Sequence, residues 1–259
     1  MPNLKYFRPT KLDDAIDLIQ NAEPLAGGTS ITPRRDSIPQ VVDVQDLGME
    51  EFHVEGERIE IGAACKLQSF IEHGEEIPGA LLTACRLEAG LNMRQMSSLA
   101  GTLVEADGRS SLLTVLMVMD TSVVIEPGTV SISLEEFLHT REGPDARFLI
   151  TKVILKKPKG MVFDYVARTP ADRPIVCAAA ALHGEGERAK IWIALGGYGT
   201  GPIRIHEAEE AMIKGRSLDK VSEAATRAYA QAEDAFASAE YRGHIAGVLV
   251  QRVLKEVKV

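Results

Sequence analysis

The residues with the clearest chemical potential form a short run near the start of the chain. Gly27-Gly28-Thr29-Ser30 lies inside "PLAGGTSI" (24–31). Glycines lacking Cβ let a ligand reach the main chain, successive N–H groups make an anion-binding nest, and two hydroxyls add donors suited to phosphate. The same run also reads as a tight turn after a short buried strand. A second stretch, "SSLAGTL" (97–103), again joins small residues to hydroxyls and follows the basic Arg94. Two such loops in one half of a chain could grip the two phosphates of a dinucleotide from different sides. Neither matches G-x-G-x-x-G, so a Rossmann site is not indicated.

Other chemistries find little support. His53, His73, His139, His183, His206 and His244 lack a second histidine or a cysteine at metal-ligand spacing. There is no G-x-S-x-G elbow and no P-loop. The acidic pairs, such as Asp13–Asp14 and Glu209–Glu210, read as solvated helix faces. "LGGYGTGP" (195–202) ends a strand and no helix opens on its glycines, so it reads as a turn. Cys65, Cys85 and Cys177 are odd in number and far apart, which suits reduced core thiols in a cytoplasmic protein.

The elements that must position the two loops follow from pattern. A length of 259 residues predicts two domains rather than one. A net charge of −8 argues against a phosphate-backbone binder, and 5% aromatics argue against a base-stacking surface. No apolar run is long enough to span a membrane, and "MPNLKYFRPT" lacks a signal-peptide core. Thr10 and Asp13 suggest a capping box before a helix bearing Leu12, Ala15, Ile16 and Ile19. Strands are expected at 40–44 and 58–64, a helix at 77–89, mostly loop at 90–111, a helix at 111–120, and strands at 122–127 and 147–155. Beyond Gly160 come three strands (161–169, 174–182, 190–199) and three helices (205–213, 218–237, 239–257). That order suggests a separate α+β domain, with the boundary near 157–160.

Four stretches together carry a family likeness: "YFRPTKLDDAIDLI" (6–19), "LAGGTSI" (25–31), "NMRQMSSLAGTLVEAD" (92–107) and "ASAEYRGHIAGVLVQRVL" (237–254). Over nearly its whole length the chain resembles the FAD-binding (medium) subunit of molybdenum hydroxylases, a family that includes carbon monoxide dehydrogenase and xanthine dehydrogenase-like enzymes. The resemblance implies an α+β chain. A vanillyl-alcohol oxidase-type FAD-binding domain would cover 1–158, in two small α/β subdomains (about 1–54 and 55–158). A C-terminal flavoprotein domain, a three-stranded sheet plus helices, would cover 159–259. It implies FAD as cofactor, held by Leu25, Ala26, Gly27, Gly28, Thr29, Ser30 and Ile31 and by Ser98, Leu99, Ala100, Gly101 and Thr102, with Leu149 near the flavin ring.

It also implies partners: a [2Fe-2S] small subunit and a molybdopterin large subunit, with electrons relayed from the clusters to NAD+ or another acceptor. No catalytic acid or base is then expected on this chain, because the cofactor carries the chemistry. The sequence departs from the family pattern at Ala100-Gly101-Thr102 (usually Gly-Gly-Asn), at Ser111 (usually Asp) and at Asp164 (commonly Lys), and it is shorter than typical members. Two other readings stand beside this one. One is a degenerate member serving as a structural or binding subunit without tightly bound FAD. The other is a free-standing flavin enzyme of the same fold, for which no proton donor can be assigned.

Overall fold

The computed structural model describes residues 4–141 and 147–257. In chain order, the first elements are β1 (Lys5–Phe7), α1 (Leu12–Leu18), β2 (Glu23–Leu25), α2 (Ile31–Arg34) and β3 (Gln40–Asp43). Then come β4 (Phe52–Glu55), β5 (Arg58–Gly62), α3 (Leu67–Glu72), α4 (Gly79–Glu88), α5 (Leu91–Met96), α6 (Leu99–Glu105) and α7 (Ser111–Leu116). β6 (Ser122–Glu126), β7 (Val130–Ser133), α8 (Leu134–Thr140), β8 (Leu149–Lys156), β9 (Gly160–Val166) and β10 (Val176–His183) follow. The chain closes with β11 (Lys190–Gly196), β12 (Ile203–Arg204), α9 (His206–Ile213), α10 (Leu218–Ala228) and α11 (Ala239–Glu256). Among the described residues, no helix is long and apolar enough to cross a membrane.

Two compact units emerge, each drawn from separated stretches. The first takes 1–73, 89–105 and 121–155; the second takes 74–88, 106–120 and 156–259. The first unit holds two sheets. One is parallel, in the order β1-β3-β2. Its central β3 buries Val41 and Val42, and α1 turns Ala15 inward while Asp13 and Asp14 stay at its solvated first turn. The expected capping box does not form. Lys11 is the N-cap and no side chain caps it, so the acidic pair acts only through the helix dipole.

The other sheet has five strands in the order β4-β5-β8-β6-β7. β5 shows why it was legible: Ile59 and Ile61 are fully buried while Arg58 and Glu60 face outward, the period of two that a half-covered strand requires.

The stretch expected to be loop, 90–111, is largely helical. Leu99 and Leu103 sit four apart, both fully buried, and Ser98 Oγ accepts from Gly101 N at 3.1 Å to cap α6. Small residues there serve close packing rather than disorder. The helix expected over 218–237 stops at Ala228, and the helix at 77–89 starts only after Pro78, as α4.

In the second unit, the three expected strands gain a fourth, β12, giving an antiparallel sheet in the order β12-β11-β10-β9. β10 is buried from Val176 to Leu182 without alternation, which requires cover on both faces. Val176, Ala178, Ala180 and Leu182 join the core built with α10 and α11. Cys177 faces the other way and meets Thr114 of α7, Sγ to Oγ1, at 3.4 Å. Burial pushes the Cys177 thiol up to about 12, which makes it an inert core group. Cys65 and Cys85 are buried as well, and neither forms a disulfide among the described residues.

Candidate functional site

The first unit carries an open cavity of about 200 Å³, several times the liquid volume of one water (~30 Å³) and so roomy enough for more than an ion. Its walls bring together both small-residue loops. Ala26 to Ile31 form one side, Ser98, Ala100 and Gly101 the other, and Leu149 with Phe148 and Ile150 a third, apolar side.

The first loop is shaped by two glycines. Gly28 has φ +70°, a left-handed conformation that glycine adopts without cost. Its carbonyl accepts from Thr32 N at 2.9 Å, which starts α2. Gly27 lies hard against the second loop: a Cβ built on it would fall 1.8 Å from Met96 O. Ser97 Oγ meets Thr29 Oγ1 at 3.4 Å across the same seam.

The entry to the loop is fixed from the turn after β3. Gln45 Nε2 donates to Ala26 O at 2.9 Å, and Gln45 N donates to Asp43 Oδ1 at 2.9 Å. The buried Asp43 also accepts from the Tyr6 hydroxyl, and that bond holds the phenol above its ordinary range. Gln45→Ala should therefore loosen the loop. We expect a several-fold weaker ligand affinity with little loss of stability, measured by titration alongside thermal unfolding. Unchanged affinity would show that the loop holds its shape without this tether.

The two loops differ in what they offer an anion. The amides of Gly27, Gly28, Thr29 and Ser30 have no partner among the described residues, so four successive donors remain for a ligand. The second loop has spent all but the Ser98 donors. Leu99 N bonds to Cys65 O, Ala100 N to Ala63 O, Gly101 N to Ser98 Oγ and Thr102 N to Ser98 O, at 2.9 to 3.1 Å. It contributes shape and a close approach instead.

Ala100 lies in the first turn of α6 with a helical backbone, so its Cβ brings no strain. Leu99 faces the core, Thr102 Oγ1 is bonded to Ser98 O at 2.9 Å, and Leu25 stands behind Gly28; none of the three lines the cavity. Arg94 lies away from it, tying α5 down through Ala89 O (2.6 Å) and Gln68 Oε1 (3.2 Å).

Several wall residues had no signal in the sequence. Arg34 and the carboxylates Glu23 and Glu105 line the cavity, with Arg34 Nη2 at 3.4 Å from Glu23 and 3.1 Å from Glu105. Arg141 lines it too and donates through Nη1 to Leu103 O. A basic residue one helical turn past the first loop was the available hint.

Residues 2–158 match the family model for the FAD binding domain in molybdopterin dehydrogenase. Residues 161–257 match that for the CO dehydrogenase flavoprotein C-terminal domain. The chain is 29% identical to protein YgfM of Escherichia coli (strain K12), over 95% of this chain and 93% of that one. It is 26% identical to the carbon monoxide dehydrogenase medium chain of Afipia carboxidovorans, covering 98% and 96%. A chain of the solved carbon monoxide dehydrogenase from Hydrogenophaga pseudoflava shares the fold, with a TM-score of 0.86, 20% identity, and coverage of 99% of this chain and 97% of that one.

Proposed function

The chain belongs to the FAD-binding medium subunits of the molybdenum hydroxylase family, and we propose that its Gly27–Ser30 loop holds the FAD diphosphate. One observation carries this reading: four successive unpartnered amides line a pocket whose opposite wall is the second loop. These residues fit the group. A diphosphate needs clustered donors and a main chain free of Cβ atoms, and Gly27 and Gly28 provide both. Thr29 and Ser30 add hydroxyl donors, and Ser98, Ala100 and Gly101 close the far side. The apolar wall at Leu149 suits the flavin ring and keeps water from it.

FAD supplies the redox chemistry of this family when bound. This chain orients it and shields it. No acid–base pair is required here, and both carboxylates in the pocket are bridged to Arg34. We take 1–158 as the FAD-binding domain and 159–259 as the C-terminal flavoprotein domain. We infer a cytoplasmic subunit that works beside a [2Fe-2S] small subunit and a molybdopterin large subunit. It would relay electrons from the iron–sulfur clusters to NAD+ or another acceptor.

The test is the visible spectrum of the purified chain, before and after added FAD. Flavin absorption that stays with the protein supports the reading. A colourless protein that takes up no FAD overturns it and leaves a structural subunit. Gly28→Val should lower FAD affinity about tenfold or more, because a branched side chain at φ +70° costs roughly 1–2 kcal/mol and intrudes beside the amides. A variant that keeps wild-type affinity would move the diphosphate elsewhere.

A further inference from the structure

Arg34 closes the first loop. It is the last residue of α2, and its Nε donates to Ser30 O at 3.3 Å, so the guanidinium is fixed beside the four open amides. Nη2 is shared between Glu105 Oε1 and Glu23 Oε2, at 3.1 and 3.4 Å. Nη1 has no partner among the described residues. Glu23 lies on β2, which leads into the first loop, and Glu105 ends α6, which grows out of the second. One guanidinium thus reaches from one loop-bearing element to the other.

The three side chains are 39–47% exposed, and ion pairs in that setting contribute little to stability. A single nitrogen split between two carboxylates also leaves the planar fork of arginine unused. Phosphate oxygens match that fork with two parallel bonds. Arg141, the other arginine lining the pocket, has Nη1 committed to Leu103 O.

We propose that Arg34 is a diphosphate clamp, and that Glu23 and Glu105 are stand-ins which occupy it until the cofactor's diphosphate displaces them. The proposal rests on the reading of this pocket as the FAD diphosphate site. The exchange is favourable because the carboxylates return to water at little cost while the guanidinium gains an anion already held by the loop amides. It also makes the pocket selective. A flavin without phosphate has no anion to exchange for the carboxylates and gains nothing from Arg34. Arg34 is a binding residue here and moves no electron or proton.

The test measures affinity of the full chain for FAD, ADP and riboflavin at low and high salt. Arg34→Gln should weaken FAD and ADP by about tenfold or more, leave riboflavin unchanged and flatten the salt dependence. Arg34→Lys, which keeps the charge and loses the fork, should fall between the two. Glu23→Gln with Glu105→Gln should tighten FAD by about two- to threefold, since only an exposed pair is lost. Thermal unfolding of Arg34→Gln should match wild type.

If Arg34→Gln binds FAD and ADP as wild type does while Gly28→Val loses them, the clamp is wrong and the loop assignment stands. If Gly28→Val also binds normally, or the wild-type chain binds neither ligand, the site assignment fails and the clamp with it. Weaker FAD binding in the double glutamine variant would overturn the stand-in role.

Discussion

Gly27→Ala is expected to lower FAD affinity about a hundredfold or more, the loss of roughly two charge-assisted hydrogen bonds. The added Cβ would sit 1.8 Å from Met96 O, 2.7 Å from Met96 C and 3.2 Å from Ser97 Cα. All three are main-chain atoms, so no side-chain rotation relieves the overlap. The loops must part, the Ser97–Thr29 contact breaks, and the amides of residues 27–30 turn away from a common point. Overpacking of this kind also costs about 1–3 kcal/mol of stability. Flavin fluorescence titration reads the first effect and the urea midpoint reads the second. An alanine variant binding within twofold of wild type would mean that the loops are not held in contact when the cofactor binds.

Arg242→Met should cost about 3–5 kcal/mol of stability, the largest loss we expect from a single side chain. Arg242 lies on α11 and is completely buried. It donates to Ile175 O (3.3 Å), Ala232 O (2.9 Å), Ala237 O (3.2 Å) and Asp234 Oδ1 (2.8 Å), and its guanidinium lies 5.1 Å from the Tyr198 ring centre. Methionine fills similar volume and satisfies none of those oxygens. Urea denaturation should show a lower midpoint at unchanged slope.

The effect should depend on pH. Partial burial alone would raise the Asp234 carboxyl, but the Arg242 bond and the amides of Phe236 and Ala237 outweigh it and hold the group below its usual value. A depressed carboxylate stabilises the fold above its unfolded pKa and loses that contribution as pH falls through the folded one. The gap between wild type and Arg242→Met should therefore narrow below about pH 4. A gap that stays constant into acid would show that the carbonyl contacts alone matter.

The same residue gives the C-terminal stretch a structural task. "AEYRGHIAG" encodes an arginine that ties the loop after α10 to the residue just before β10.

The strands were legible because alternation such as Ile59 and Ile61 has one physical cause, a sheet covered on one face. The first loop was legible because two glycines beside two hydroxyls restrict the choices. The second loop was legible in place and not in shape. Read as irregular chain, Ser98 to Thr102 could all face a ligand. Wound into α6, steps of about 100° send Leu99 and Leu103 to the core and Ala100, Gly101 and Val104 to the pocket. Glycine and serine content hid the buried pair four residues apart that made the helix. Arg34 was hidden for a related reason. It stands beside Arg35, and only the short helix decides that Arg34 lines the pocket while Arg35 is 70% exposed.

The sheet of β9–β12 has two helical layers with different histories in the chain. α9, α10 and α11 follow the strands they cover, whereas α4 and α7 are encoded well before β9 and pack on it and on β10. The boundary between the two matched family models falls at 158–161, after both early helices. A gene segment that begins there carries the strands and lacks one of their lids, so as a separate cassette it would leave one face of the sheet bare. During synthesis, α7, buried along its whole length in the finished fold, must wait for strands not yet translated. The second unit is thus complete only when the earlier stretches that supply α4 and α7 are present.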